Sequence, residues 1–211
     1  MKKTVLLSAI LLVVQLVRAQ NDPEAVSILD RFSAAALSAP SVSMKFDAVT
    51  IDLLEDINDT IPGSILLSRD KYKLELIDNI IWFDGETPWN YLPAENEVTV
   101  TKPDKDDDSF MSRPSSVFTI YKKDYRNRLV EERSDLYVID LYPEDINSDI
   151  IRIRLTIGKP SLNLRVVEYK NKNGLTITLF VKEYDLKQKP DQSLFTFLPG
   201  KYKGIEIIDM R

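Results

Sequence analysis

The spacing of hydrophobic residues divides the chain into one helical stretch followed by a long series of strands. Between positions 25 and 36, apolar residues recur every three or four residues, which is the spacing of one face of an α-helix. Asp22 and Pro23 precede this stretch, and these residue types are typical of an N-cap and of the first helical position. We therefore predict one amphipathic helix of about four turns that ends before Pro40.

From Val42 onward the apolar pattern has a period of two, which is typical of half-buried β-strands. Asp84-Gly85 and Asn173-Gly174 are dipeptides that accept the positive φ of tight hairpin turns, so neighbouring strands are expected to be antiparallel. About a dozen strands are predicted in all. They span 42–48, 65–67, 71–76, 80–83, 87–91, 98–101, 129–133, 136–142, 150–157, 166–170, 175–181, 195–197 and 205–208.

A polar stretch at 102–113 interrupts the strands, and Pro114 then leads into an apolar segment that we interpret as a second, short helix of two to three turns. The pattern thus predicts a mainly β (α+β) fold: one wide antiparallel sheet with two helices to cover it. A closed barrel would fill itself with side chains, whereas an open, lidded sheet of this width would leave an apolar hollow suited to a lipid.

One predicted hairpin, Ile81 to Val98, contains both tryptophans of the chain. Its aromatic residues have two interpretations. They are ordinary core residues of a large sheet, or they line the hollow, where rings provide large apolar contact areas. The hairpin alone does not decide between them. The aromatic residues concerned are Trp82, Phe83, Trp89 and Tyr91.

The beginning of the chain has the three-part order of a cleavable secretory signal. Lys2 and Lys3 are followed by an apolar run at 5–17 and by Ala19, after which we expect cleavage. The run of 13 residues is shorter than the roughly 20 that a membrane-spanning helix needs. We therefore expect 1–19 to be a signal peptide and 20–211 to form a single exported, soluble domain.

Composition excludes several classes of chemistry. The chain has no histidine and no cysteine, which removes the usual nucleophilic triads and zinc sites. Without the three basic residues of the signal, 25 basic residues face 33 acidic ones, a net charge of −8 that argues against nucleic acid. The acidic run at 104–108 lacks the ligand pattern of a calcium loop, and Asp84 and Glu86 are turn acids of a kind that is usually solvated. We expect no metal, no cofactor and no enzymatic activity.

Four stretches of the chain occur in the order seen in a known family: Leu29-Asp30, "GSILLSRDKYKLEL" (63–76), "FDGETPWNYLPAENEV" (83–98) and "FTFLPGKYKGIEIIDMR" (195–211). On these stretches the chain resembles the periplasmic outer-membrane lipoprotein carrier family, LolA. The resemblance implies a curved, incompletely closed antiparallel sheet, or half-barrel, of about 11 strands with a lid of two or three helices. A family member is an open antiparallel half-barrel lidded by helices that ferries lipoproteins through the periplasm with their acyl chains in the cavity. The resemblance implies a monomeric carrier that takes lipoprotein acyl chains from an inner-membrane ABC-type release complex to an outer-membrane acceptor. The alternative is a LolA-like module that binds a lipid or glycolipid, or senses envelope stress, without carrying lipoproteins.

The resemblance also implies roles for individual residues. Arg69 occupies the place of the family's lid-closing arginine, which bonds to helix backbone, although Asp70 follows it where the family usually has proline. From the residues alone, a solvated arginine at a strand end is the favoured interpretation of Arg69, and the resemblance makes the two interpretations even. The residues expected to line the acyl-chain cavity are Leu29, Phe32, Phe46, Leu74, Leu76, Trp89, Tyr91, Val117, Phe118 and Tyr121.

Overall fold

A 12-stranded sheet dominates the fold of residues 21–103 and 112–211, which are the residues that the computed structural model describes. The predicted signal peptide and the acidic run at 104–108 lie outside these residues. One α-helix, α1 (Pro23–Ser38), precedes the sheet. The strands are β1 Val42–Asp52, β2 Ile57–Ser68, β3 Lys71–Leu76, β4 Ile80–Phe83, β5 Pro88–Leu92, β6 Glu97–Val100, β7 Tyr125–Glu132, β8 Leu136–Pro143, β9 Ile150–Gly158, β10 Asn163–Asn171, β11 Leu175–Asp185 and β12 Glu206–Asp209.

The predicted helix is confirmed, and its first residue also fixes it to the sheet. An Asp22 carboxylate oxygen accepts hydrogen bonds from the N–H groups of Glu24 and Ala25, at 3.0 and 3.4 Å, which satisfies donors that a helix start leaves free. The other carboxylate oxygen accepts from the N–H of Leu129 at 3.1 Å. The Asp22 N–H donates to the carbonyl of Asn127, so the start of α1 covers part of edge strand β7.

The sheet is curved and open, as predicted. Its strand order is β12-β6-β5-β4-β3-β2-β1-β11-β10-β9-β8-β7, so two hairpin series meet where β1 pairs with β11. Gly85 and Gly174 have φ values of 101° and 91°, which confirms the two predicted hairpin turns. Strands within each series are antiparallel, but β12 runs parallel to β6 because it reaches the edge by a long crossing and not by a hairpin.

Two predicted elements are wrong. The lid does not have two or three helices, because in the described residues the second helix is replaced by two short 3₁₀ helices, Pro114–Phe118 and Ile120–Lys122. The Ser, Val, Thr and Ile residues of this segment have low helix propensity, and Thr119 leaves helical geometry at φ −131°. The strand predicted at 195–197 is not formed, since a 3₁₀ turn occupies Gln192–Phe195.

Apolar residues cover both faces of the sheet, and two separate clusters result. We define the inner face as the one that carries Tyr72, Leu74 and Leu76 and is covered by α1. The 3₁₀ helices at 114–122, which we name the plug, cover the same face. The outer face carries the second, smaller cluster, centred on Trp82.

Candidate functional site

The inner-face cluster brings together most of the predicted cavity residues. The rings of Phe32 in α1 and Phe118 in the plug lie 5.4 Å apart, and both side chains are buried. The plug therefore packs directly against the helix, and both lie on the sheet. The predicted residues within this cluster are Leu29, Phe32, Phe46, Val117, Phe118 and Tyr121, with Leu74 and Leu76 packed against it.

Trp89 and Tyr91 are not part of this face, which corrects their expected place in the cavity. Trp89 is directly opposite Trp82 on β4, and Trp82 is opposite Lys73 on β3. Since neighbouring residues of a strand point to opposite faces, these side chains lie on the other side of the sheet from Leu74. Strand β4 is apolar on both faces, so alternation could not assign its neighbour β5 to one of them.

The C-terminal segment encloses these outer-face aromatics. Phe197 lies 5.6 Å from Trp82 and 5.2 Å from Tyr202, and Tyr202 lies 4.8 Å from Tyr91, all measured between ring centroids. The Asn96 amide donates to two carbonyls of the same segment. The tryptophan hairpin thus forms a packed aromatic core, which confirms the interpretation of its rings as core residues of the sheet.

Among the described residues, the space beneath the plug is much smaller than the predicted hollow. The apolar cavity between the plug and strands β9–β11 has a volume of about 20 Å³, enough for one water molecule and far too small for an acyl chain. Side chains of the plug occupy the space that the sheet's curvature leaves. The lining residues are Ser116, Val117, Ile120, Ile153, Val167, Tyr169, Ile177 and Leu179.

Two hydrogen bonds tie the C-terminal end of the plug to the rest of the fold. The Tyr121 hydroxyl donates to the Asp30 carboxylate of α1 at 2.5 Å, and the Asn127 amide donates to the Tyr121 carbonyl at 2.9 Å. Burial, together with the bond to Asp30, raises the pKa of the Tyr121 hydroxyl above its ordinary value. In the middle of the plug, the Ser116 hydroxyl is buried without a hydrogen-bond partner among the described residues.

Larger, partly polar cavities flank the plug on both sides. One, of about 550 Å³, lies beside the second 3₁₀ helix, and Tyr125 is among its lining residues. Burial, together with the nearby Tyr169 and Asp124, raises the pKa of Tyr125 to about 12. The other, of about 220 Å³, lies between the plug and the end of α1; we name it the inner compartment. The plug thus has open space on either side of it.

Arg69 lies at the β2–β3 turn with φ 57°, beside the last turn of α1. Together with Leu37, Ser38 and Ala39 it lines a cleft of about 740 Å³, which we name the Arg69 cleft. Its guanidinium makes no hydrogen bond within the described part of the chain, so the lid-closing bond implied by the family resemblance is not formed in this conformation. Sequence reasoning missed two further cations of the cleft, Lys71 and Lys189, which no motif marks.

A buried carboxylate on the outer face was also missed. Asp140, on β8, is 1% exposed and accepts hydrogen bonds from two Arg154 nitrogens at 2.6 and 2.8 Å and from the Tyr142 hydroxyl at 2.9 Å. Burial acts to raise the pKa of Asp140, but the bonds from Arg154 and Tyr142 outweigh it and hold the pKa below its usual value. This group stabilises the sheet and faces no cavity of the inner face.

Two kinds of site do not occur among the described residues. No group of three or more histidine, cysteine, aspartate or glutamate side chains is arranged to hold a metal ion in residues 21–103 and 112–211. No helix in the same part of the chain has the length and hydrophobicity that would let it cross a bilayer.

Comparisons with known proteins agree with this fold. The family profile "Outer membrane lipoprotein carrier protein LolA" matches residues 77–198. No curated protein matches the chain significantly. An uncharacterized conserved protein from Thermus thermophilus has a similar structure, with a TM-score of 0.59 at 12% identity, covering 88% of this chain and 99% of the other. The crystal structure of MucB gives a TM-score of 0.51 at 16% identity, covering 85% of this chain and 65% of the other.

Proposed function

Because this chain belongs to the LolA family, whose profile matches 122 of its 211 residues, we propose that it is a periplasmic carrier of lipoproteins. It binds their acyl chains on the inner face of the sheet and moves them from the inner to the outer membrane. The observation that carries this proposal is the plug. A short segment, flanked by cavities of about 220 and 550 Å³, covers apolar side chains of the inner face that an acyl chain could contact in its place.

The free energy of the exchange supports displacement of the plug. Moving an acyl chain from a membrane into water costs about 0.8 kcal/mol for each methylene group. The chain therefore leaves the membrane only for a surface about as apolar as the membrane interior. When the plug moves aside, the acyl chain replaces Phe118, Val117 and Ile120 on the same apolar strands. One set of apolar contacts then replaces another, and a small difference in affinity directs the cargo to its next acceptor.

Arg69 has a role in closing this site. The last turn of α1 contains no basic residue to interact with its free carbonyl groups, which carry the partial negative charge of the helix. Arg69 lines the cleft beside that turn and donates to these carbonyls when the site closes. Arg69 lies outside the matched residues 77–198, so this role is based on its position beside α1.

The partners follow from the same proposal. After cleavage of the signal peptide the protein acts in the periplasm as a monomer. Its donor is an inner-membrane ABC-type lipoprotein release complex, which opens the plug and supplies the cargo, and its acceptor lies in the outer membrane. It performs no chemical reaction on the cargo.

Displacement of a neutral hydrophobic dye tests acyl binding. We expect a triacylated lipopeptide to displace the dye from purified residues 20–211, while the same peptide without acyl chains does not, because the inner face binds hydrocarbon. Equal displacement by both peptides would contradict the proposal. Photo-crosslinking in the periplasm then separates a carrier, which traps many lipoproteins, from a sensor, which traps one partner.

A further inference from the structure

Three cationic side chains line the Arg69 cleft: Arg69, Lys71 and Lys189. They come from the β2–β3 turn and from the segment after β11, so the fold brings them together from distant parts of the chain. Asp70 is the acidic residue that lines the same cleft. A cleft of about 740 Å³ with this balance of charges is unusual in a chain whose net charge is −5.

These three cations have no acidic partner in the part of the chain that the structure describes. The side chains of Arg69, Lys71 and Lys189 make no hydrogen bond or ion pair with any described residue. Asp70 contributes one negative charge, and the C-terminal end of α1 contributes the equivalent of about half a charge, which leaves an excess of positive charge. Described lysines elsewhere that do form ion pairs are Lys45, Lys73, Lys123, Lys159 and Lys182.

The Arg69 cleft adjoins a second, partly apolar cavity and shares wall residues with it. Its wall residues Leu37, Ala39 and Arg69 also line the inner compartment of about 220 Å³, whose other side is formed by core residues of the sheet and the plug. A ligand that enters from the cleft therefore meets positive charge first and apolar side chains next. Those apolar wall residues include Val42, Leu67 and Phe118.

We propose that the Arg69 cleft binds the anionic headgroup, a phosphate or a carboxylate, of an acylated ligand whose hydrocarbon chain enters the inner compartment. This inference rests on the proposed function, because it takes the inner face as the acyl site. Lys71 and Lys189 are the specificity-determining residues. Each is free to donate to an anionic oxygen, and charge-assisted bonds of this kind are stronger than neutral ones.

Binding of paired amphiphiles by calorimetry tests the inference. The probes are dodecyl phosphate, dodecyl maltoside and inorganic phosphate, each titrated below micelle-forming concentrations into residues 20–211. We expect dodecyl phosphate to bind about tenfold more tightly than dodecyl maltoside, since three exposed or half-buried cations each contribute a factor of about two. Added salt should weaken the binding of dodecyl phosphate alone.

Two double variants locate the effect. Lys71→Gln with Lys189→Gln should remove most of the preference for dodecyl phosphate and leave dodecyl maltoside unchanged. Lys201→Gln with Lys203→Gln makes the same change of charge at exposed positions outside the cleft and should keep the preference. Urea midpoints of both variants establish that they fold.

Each other outcome overturns the inference, and the outcomes are distinguishable. Equal binding of the two amphiphiles refutes the anionic headgroup but leaves the proposed carrier function standing. Inorganic phosphate that binds as tightly as dodecyl phosphate indicates a site for small anions and not for lipids. If both double variants lose the preference for dodecyl phosphate equally, the preference comes from the overall charge of the protein and not from the cleft. Failure of both amphiphiles to bind refutes the proposed function as well.

Discussion

The two faces of one sheet carry apolar clusters that are covered in different ways. On the outer face, Phe197 and Tyr202 of the C-terminal segment contact the rings of Trp82 and Tyr91, and β12 pairs with β6 through backbone hydrogen bonds. On the inner face, the plug is a pair of 3₁₀ helices with cavities on either side.

The difference indicates where the protein is built for stability and where it can open. Ring contacts and strand pairing hold the outer cover along its length, so moving it would expose aromatic surface and free backbone groups. The plug makes no strand pairing, and moving it exposes apolar surface that a bound acyl chain would cover again. Four predictions test this contrast, and they follow in order of expected effect.

Truncation in the outer cluster should cause the largest loss. Phe197→Ala removes a side chain that is 5% exposed and contacts two rings, so we expect the free energy of unfolding in urea to fall by about 3–5 kcal/mol. Acyl affinity of the folded protein should not change. Phe180→Ala, at a position that is 47% exposed, is the matched control and should cost no more than about 0.5 kcal/mol. Altered acyl affinity in Phe197→Ala would contradict the separation of the two clusters.

Truncation in the plug should cost less and change binding. For Phe118→Ala we expect the free energy of unfolding to fall by about 2–3 kcal/mol, less than the loss of about 3–5 kcal/mol that is typical of a buried phenylalanine, because a plug flanked by cavities can readjust. The affinity for a neutral hydrophobic dye should rise, since less apolar contact opposes its entry. Fluorescence titration measures the affinity and urea unfolding the stability. Unchanged dye affinity would mean that the dye does not compete with the plug.

Asp140→Asn tests the ion-paired half of the outer face. We expect a loss of about 2 kcal/mol at pH 7, below the range for fully buried pairs because Arg154 is 34% exposed. The folded pKa of Asp140 is below its ordinary value of 3.8, so its contribution is complete above that pH and is lost as the pH falls through the folded pKa. The variant should therefore lose less stability than the wild type between pH 4 and pH 2. Equal losses of unfolding free energy in the variant and the wild type between pH 4 and pH 2 would contradict the lowered pKa of Asp140.

The smallest effect is expected when one tyrosine hydroxyl is removed from each face. Tyr121→Phe removes the bond to Asp30, and Tyr91→Phe removes the bond to Asn96. Each should cost about 1 kcal/mol of unfolding free energy. Tyr121→Phe alone should increase dye affinity, because the bond that it removes ties the plug to α1. Equal dye affinities in the two variants would show that this bond does not restrain the plug.

Local chemistry made much of the fold predictable. Asp22 and Pro23 marked the start of α1, and the glycine at each hairpin marked a turn, because these residues act within a few positions of themselves. The first half of β2 was missed, since Asn58, Asp59 and Thr60 are exposed and only pairing with β1 makes them a strand.

The site was less predictable, because it depends on long-range contacts. Alternation placed Leu74 on the correct face. It could not place Trp89, because the preceding strand is apolar on both faces. Only the packing of the C-terminal segment shows that the Trp89 face is the outer one. Lys189 joins the Arg69 cleft from a separate loop. The extent of the hollow was overestimated because it depends on how deeply the rings of the plug enter the curve of the sheet.

The distance between the plug and α1 tests the central claim most directly. The chain has no cysteine, so Leu37→Cys with Thr119→Cys allows spin labels on the two walls of the inner compartment, and Glu95→Cys with Lys203→Cys provides a control pair across the outer cover. We predict that a bound triacylated lipopeptide lengthens the first distance, measured by pulsed electron paramagnetic resonance, and leaves the second unchanged. A first distance that stays the same while the lipopeptide is bound would contradict displacement of the plug.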